Sequence, residues 1–399
     1  MTGKVLKGTE RLYYTDSHLF SFRAKVLRCE QSGEVWHIVL DRTAFFPEGG
    51  GQQADTGILA FEGPNPVELR VLDVHERNGE ILHYCDGPLP EGTEVEGRVN
   101  GAVRFARMQN HSGEHILSGT AHSLYGCDNV GFHMGESDVT IDFNLELSEE
   151  ELLRLEELTN EAVWKNLPVR IWYPTSDELK TLEYRSKIEI EGDVRIVEIP
   201  GVDRCACCAP HVSSTGEIGL VKILQAERHR GGMRLFVACG LWAMQDYRKR
   251  QQSAAEISAL LSAKRDEITP AVEKLLQARD ALKEKNAAVA TELMLLRAQA
   301  QPETEGNICL FETLQDSVAI RGLVNQLMEK CTGLAAVFFP GEAGGYRYII
   351  GSRSMDLRKA AKAINAGIGG RGGGSPEMIQ GSAGKTEEEI SAFLMAYSG

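Results

Sequence analysis

His111-Ser-Gly-Glu-His115 lies inside a segment, Val103 to about Tyr125, that reads as helical, with His111, His115, Ser118 and His122 along one face. The i, i+4 spacing sets both imidazoles one turn apart on the same side of a helix. From there two neutral nitrogens reach one cation at ~2.0–2.1 Å. A second stretch, Cys207-Cys-Ala-Pro-His211, follows about a hundred residues later, in a turn between short strands. Its thiolate and imidazole, four residues apart, complete a tetrahedral Zn²⁺ shell if the helix and the turn converge. The expected ligands are therefore His111, His115, Cys207 and His211, with Cys205 and Cys208 as neighbouring thiols. A shell of four protein ligands is structural, whereas one in which His211 stands off leaves a position for water and is catalytic. Both arrangements stay open at this point.

Outward from this core, residues 19–100 read as β. Arg23-Ala-Lys-Val-Leu, Val35-Trp-His-Ile-Val-Leu and Glu68-Leu-Arg-Val-Leu are short, branched and bounded by Gly, Pro or Asn, which favours a small barrel or sandwich, and a barrel-like domain is expected over 1–100. Inside it runs a glycine-dense loop, Thr43-Ala-Phe-Phe-Pro-Glu-Gly-Gly-Gly-Gln-Gln-Ala-Asp-Thr-Gly57. Past the histidine helix come a β segment, Val139-Thr-Ile-Asp-Phe143, and a helix announced by a Ser148/Glu151 capping box before Leu152, Leu155 and Leu158. Residues 169–240 return to short strands and close an α+β domain over 101–240.

The pattern changes at 241–300. Leu261, Ile268, Leu275, Leu282, Val289 and Leu296 recur every seven residues, with Ile257, Val272 and Leu293 at the second seam position. This is coiled-coil-like. Pro270 behind Thr269 suits the first turn of a restarting helix, so a helical hairpin or a single kinked helix is expected. After a linker at 301–307, strand and helix alternate over 305–399, a small α/β domain that contains the glycine-rich run Gly367 to Gly381. The fold class is thus α+β multidomain: barrel, α+β domain with the metal site, helical segment, and C-terminal α/β domain.

The 399 residues allow about two to four domains with real cores. Hydrophobic residues make up 42% and charged residues 25%, which excludes a disordered chain. No run of about 18 apolar residues exists, so no membrane span is expected. Glu10 and Asp16 near the start argue against a secretory leader. Nine cysteines without an export signal point to reduced thiols or metal ligands in a cytoplasmic protein. A net charge of −14 excludes nucleic-acid binding over the whole surface, though not in a local basic groove.

The two ligand pairs, the loop Phe45-Phe-Pro-Glu-Gly-Gly-Gly-Gln52-x-x-Asp55-x-Gly57, and Thr140-Ile-Asp-Phe143 together resemble the editing domain of alanyl-tRNA synthetase and its free-standing relatives, the alanyl-tRNA editing proteins. Gly367 to Gly381 resembles the glycine-rich motif of the DHH-associated C-terminal domain of the long editing proteins. Two departures stand out: Cys208-Ala209-Pro210 replaces the family's Gly-Gly-Thr, and Phe45-Phe46 lacks a tyrosine hydroxyl.

The resemblance implies a trans-editing hydrolase that deacylates alanine tRNA wrongly carrying serine or glycine, because the β region begins too early to leave room for an aminoacylation domain. It implies Thr43 near the amino-acid side chain, where a hydroxyl pairs with serine and not alanine. Gln52 is implied as a contact to substrate or terminal adenosine. Phosphate contacts are expected from Arg228, Arg230 and Arg234, from Arg248-Lys-Arg250, and, in the last domain, from Arg347, Arg353, Arg358, Lys359, Lys362 and Arg371. The family uses the helical region for dimerisation, so a homodimer is expected.

Two other readings remain. One is a tRNA-binding or oligomerisation module with structural zinc. The other is a zinc protease of the H-x-x-E-H type, with Glu114 as general base. A phosphodiesterase is disfavoured, since no Asp-His-His triplet occurs.

Overall fold

Along Ser21–Ser32, Phe22, Ala24 and Val26 are buried while their neighbours are exposed, the period-two pattern of a strand with one face in a core. The computed structural model, which describes residues 8–62, 66–136, 138–186, 194–341 and 344–398, closes this strand into a barrel. The order is Ser21–Ser32, Val35–Leu40, Glu80–Cys85, Val67–Arg77, Gly57–Phe61, Glu94–Val99 and back to the first, every pairing antiparallel. Phe22, Val26, Ile38, Leu59, Val71 and Ile81 fill it. Closure leaves no strand edge in the barrel.

The chain divides into two compact units, Met1–Ser253 and Ala254–Gly399. In the first, the barrel hands over to a 25-residue helix, α1 (Gly101–Tyr125). The Asn100 side chain accepts from Val103 N to cap its start, and Gly126, at φ 62°, ends it in the left-handed conformation. A second helix, α2 (Glu149–Trp164), opens with the expected box: Ser148 Oγ accepts from Glu151 N, and Glu151 accepts from Ser148 N at 2.7 Å. Both helices pack on a four-stranded antiparallel sheet ordered Val221–His229, Gly232–Cys239, Val139–Phe143, Asn129–Met134. Ile116, Leu117, Ile141, Phe143, Leu155 and Leu235 form the core between them. A three-stranded sheet, Arg170–Trp172, Ile196–Ile199 and Asp203–Ala206, carries the chain to the cysteine turn.

The seven-residue pattern resolves into two helices, Gly240–Leu261 and Ile268–Ala300, with Ser262 at φ 50° in the break. Pro270 occupies the first turn of the second, where its missing N–H costs nothing. In that second helix the buried side chains are Ala290, Met294 and Ala298, four residues apart, packed on the second unit's core. The heptad residues Leu275, Leu282, Val289 and Leu296 face outward, each more than half exposed.

The second unit's sheet runs Ile308–Phe311, Ala335–Pro340, Tyr346–Gly351, Met378–Ala383, Arg371–Gly374, with only the first pair parallel. One face holds Ala335, Val337 and Phe339 against Ser317–Leu327. The other holds Ala336 and Phe338 against Leu357–Ile368 and Glu387–Ala396. The glycine run is half of a hairpin, not a loop: Arg371–Gly374 is an edge strand paired with Met378–Ala383. Among the described residues no helix is long and apolar enough to cross a membrane.

Candidate metal centre

α1 can approach its neighbours closely because it carries glycine where they pass. A Cβ at Gly119 would lie 2.6 Å from Val202 O and 2.7 Å from Asp203 Cβ. Its absence lets the strand Asp203–Ala206 press against the helix, which delivers the following cysteine turn to the histidines. The glycine loop arrives from the other side. Gly51 has φ 80°, and a Cβ there would meet the Phe132 ring at 2.5 Å, so only glycine fits.

The result is a convergence of His111, His115, Cys207 and His211, whose donor atoms all lie within 4.8 Å of one another. Cys207 Sγ is 3.4 Å from His111 Nε2 and 3.4 Å from His211 Nε2. The imidazole centroids of His111 and His115 stand 5.5 Å apart, and that of His211 lies 5.0 and 4.6 Å from them.

The other nitrogen of each ring is held from behind. His111 Nδ1 donates to Gln52 Oε1 at 3.0 Å, and His115 Nδ1 donates to Asp203 Oδ2 at 3.0 Å. His211 Nδ1 meets Ser112 Oγ at 3.0 Å, and that hydroxyl also accepts from Val212 N. Such outer contacts fix the tautomer and turn Nε2 toward a metal.

The electrostatics couple the same groups to one another. Burial opposes ionisation of Cys207, but the charges of His111 and His211 and hydrogen bonds from His111 and His115 hold its thiol well below the ordinary value. Burial also opposes protonation of His115, yet its bonds to Asp203 and Cys207 raise it well above the usual histidine range. Asp203 is held down despite burial by His115 and by Arg185, whose Nε donates to Asp203 Oδ1 at 2.7 Å. His211 is pushed by burial down to about 3. One thiolate and imidazole nitrogens in a buried cluster are a borderline-soft set that fits Zn²⁺.

The cluster opens to a cavity of about 920 Å³ whose wall includes Tyr14, Gly51, Phe132, Tyr173, Arg185 and Arg195. Glu114 also lines it; its Oε1 accepts from Ser118 Oγ at 2.7 Å and from Asn129 Nδ2.

Three family models match this chain. "tRNA synthetases class II (A)" covers residues 4–103, which enclose the closed barrel. "Threonyl and Alanyl tRNA synthetase second additional domain" covers 194–236, the cysteine turn and its flanking strands. "DHHA1 domain" covers 308–398. The alanyl-tRNA editing protein AlaX-L of Pyrococcus horikoshii is 28% identical over 399 residues, which cover 96% of each chain. The chain is a homologue of that editing protein. It is also similar to alanine–tRNA ligases: 31% identical to that of Pyrobaculum neutrophilum over 95% of this chain, and 30% identical to that of Methanopyrus kandleri over 99%. It spans less than half the length of those ligases, 43% and 45%.

In this editing-protein homologue the remaining expected site residues fall in three places. Gln52 is fully buried behind His111. Thr43 is also fully buried, apart from the cavity wall: its hydroxyl donates to His83 Nε2 at 2.8 Å and accepts from Phe45 N at 3.1 Å. His83 presents a bare Nε2 because its Nδ1 donates to Ile38 O. Arg228, Arg230 and Arg234 sit on the hairpin 221–239, where Arg228 pairs with Glu146 at 2.9 Å and Arg234 with Asp142 at 2.6 Å. Arg371 lies in the second unit, beside a cleft of about 570 Å³ with Arg358 and Lys362.

Sequence reading missed Asp203, Arg185, Ser112 and Arg195. A signal existed for the first: Asp203, Cys205 and Cys207 alternate along an extended segment and so share one face. In the cysteine turn, Ala209 is fully buried, while Cys208 is exposed and lines the cavity without joining the cluster's donor set.

Proposed function

We propose that this chain hydrolyses the aminoacyl ester of mischarged alanine tRNA, releasing serine or glycine, and that His111, His115, Cys207 and His211 hold the zinc ion it needs. The observation that carries this reading is the set of donor atoms facing one another at the cavity floor, each ring anchored through its other nitrogen. A zinc ion held there supplies Lewis acidity toward an ester carbonyl or an anchor for the substrate's amino group.

The chain's own residues do the rest. Asp203 keeps His115 in one tautomer and carries the counter-charge, and Arg185 keeps Asp203 ionised. Gln52 orients His111, and Phe132, 4.9 Å from the His111 ring, shields that side from water. For the seryl substrate, Thr43 rotates out of its bond to His83 and pairs with the seryl hydroxyl, a contact that alanine cannot make. Phosphate contacts come from Arg228, Arg230 and Arg234 on the hairpin and from Arg371 in the second unit. A second copy covers the outward heptad face, and the site of action is the cytoplasm.

Hydrolysis of Ser-tRNA and Ala-tRNA (alanine tRNA in both), with and without chelator, tests the reading. Chelator-sensitive turnover of the seryl ester alone supports it. Tight tRNA binding with no turnover supports the module with structural zinc instead. The protease reading lacks its third glutamate ligand among the described residues, since Cys207 and His211 complete the cluster.

A further inference from the structure

Arg195 precedes the strand Ile196–Ile199 and is only 6% exposed. One nitrogen, Nη1, donates to Cys207 O at 2.7 Å and to Ala209 O at 3.0 Å, clamping the ligand turn. Its other two, Nε and Nη2, are buried without a hydrogen-bond partner, and no carboxylate among the described residues pairs with its charge. A buried guanidinium left in that state is costly and calls for an anionic partner that the described residues do not provide.

The surroundings say what kind of partner. The guanidinium lies 5.2 Å from the centroid of the Tyr14 ring, and Arg11, itself neutralised by Glu76, lies 5.7 Å from the same ring. Tyr14, Arg11 and Arg195 all line the cavity that holds the metal cluster. An aromatic face between cations is a platform for a nucleobase, and a guanidinium with two free donors is a fork for phosphate oxygens. Arg185, another arginine of the cavity wall, is spent on Asp203.

We infer that Arg195 and Tyr14 form the subsite for the terminal nucleotide of the tRNA, Arg195 taking its 5′-phosphate and Tyr14 stacking its base. This rests on the deacylase reading for the identity of the ester, and on the orphaned donors for the phosphate. A clamp alone accounts for one nitrogen of the three.

The test is calorimetric binding of two non-hydrolysable probes to the zinc-loaded full chain: 3′-seryl-amino-3′-deoxyadenosine and its 5′-phosphate. The wild type binds the phosphorylated probe about 30-fold tighter, the gain expected of a charge-assisted fork. In Arg195→Gln the two probes bind within about threefold of each other, while Tyr14→Leu weakens both. Because Nη1 also supports the zinc turn, bound zinc is measured in each variant, and Arg195→Lys, which keeps a cation, serves where Arg195→Gln loses the metal. Equal binding of the two probes by the wild type, or an undiminished phosphate preference in zinc-replete Arg195→Gln, overturns the assignment. Hydrolysis of Ser-tRNA by the same preparation separates the claims: turnover with equal probe binding removes Arg195's role alone, and absent turnover removes the deacylase reading.

Discussion

His83 is fully buried, and its environment sets how the barrel responds to acid. Burial holds its pKa at about 4, against 6.5 for a free side chain. Between those values the unfolded chain binds a proton that the folded chain refuses, so stability falls as pH drops from 6.5 toward 4, by about 3 kcal/mol at the lower end. Thermal melts from pH 7 to 4.5 should show this decline, and His83→Gln, which leaves Thr43 an acceptor, should flatten it. Asp203 makes a second prediction at this scale. Asp203→Asn keeps the shape but removes the charge facing His115 and Arg185. Loss of such an outer partner lowers metal affinity about 10- to 100-fold, readable by competition with a chromogenic chelator.

Between elements, α1 and the glycine loop are joined by a ladder of side chains. Arg104 donates to Asp55 through Nε at 2.8 and 3.0 Å, Arg107 to Ala54 O and Gln53 Oε1, and His111 to Gln52. These helix residues, three and four apart, form one stripe along the helix, and the loop runs antiparallel to it. Arg104 and Asp55 are both essentially unexposed, so Asp55→Ala leaves an uncompensated buried charge. The expected loss is about 3–5 kcal/mol in urea unfolding, with weaker zinc binding because the loop no longer holds Gln52 on His111.

This ladder also marks how far the sequence could be read. Periodicity and caps located α1 over 103–125, Val139–Phe143, the Ser148 box and the ligand spacing, because each is written in residues close together in the chain. Arg104, Arg195 and Asp203 look like ordinary surface charges in sequence, and only tertiary packing buries them. Thr43 shows the same limit from the other side. A polar residue in a loop motif reads as a site residue, and nothing nearby in the chain announces that its hydroxyl meets a histidine 40 positions away.

For the whole molecule, the acidic total of −14 confines RNA contacts to local basic groups. Affinity for tRNA should therefore fall steeply with salt. Arg371→Ala should reduce the slope of log K against log salt by about 1, with sequence preference unchanged. The heptad face predicts a second effect of scale. Leu275, Leu282, Val289 and Leu296 are open along one helix, so sedimentation should give a dimer that Leu282→Lys with Val289→Lys converts to monomer.

The functional reading depends on the four-ligand cluster being where ester hydrolysis takes place. The decisive measurement pairs elemental analysis with turnover: zinc per chain and hydrolysis rate on Ser-tRNA for the wild type and for Cys207→Ala. The account predicts one zinc and turnover in the first, and loss of both in the second. A Cys207→Ala chain that still hydrolyses the seryl ester, from a wild type that carries no zinc, would contradict it.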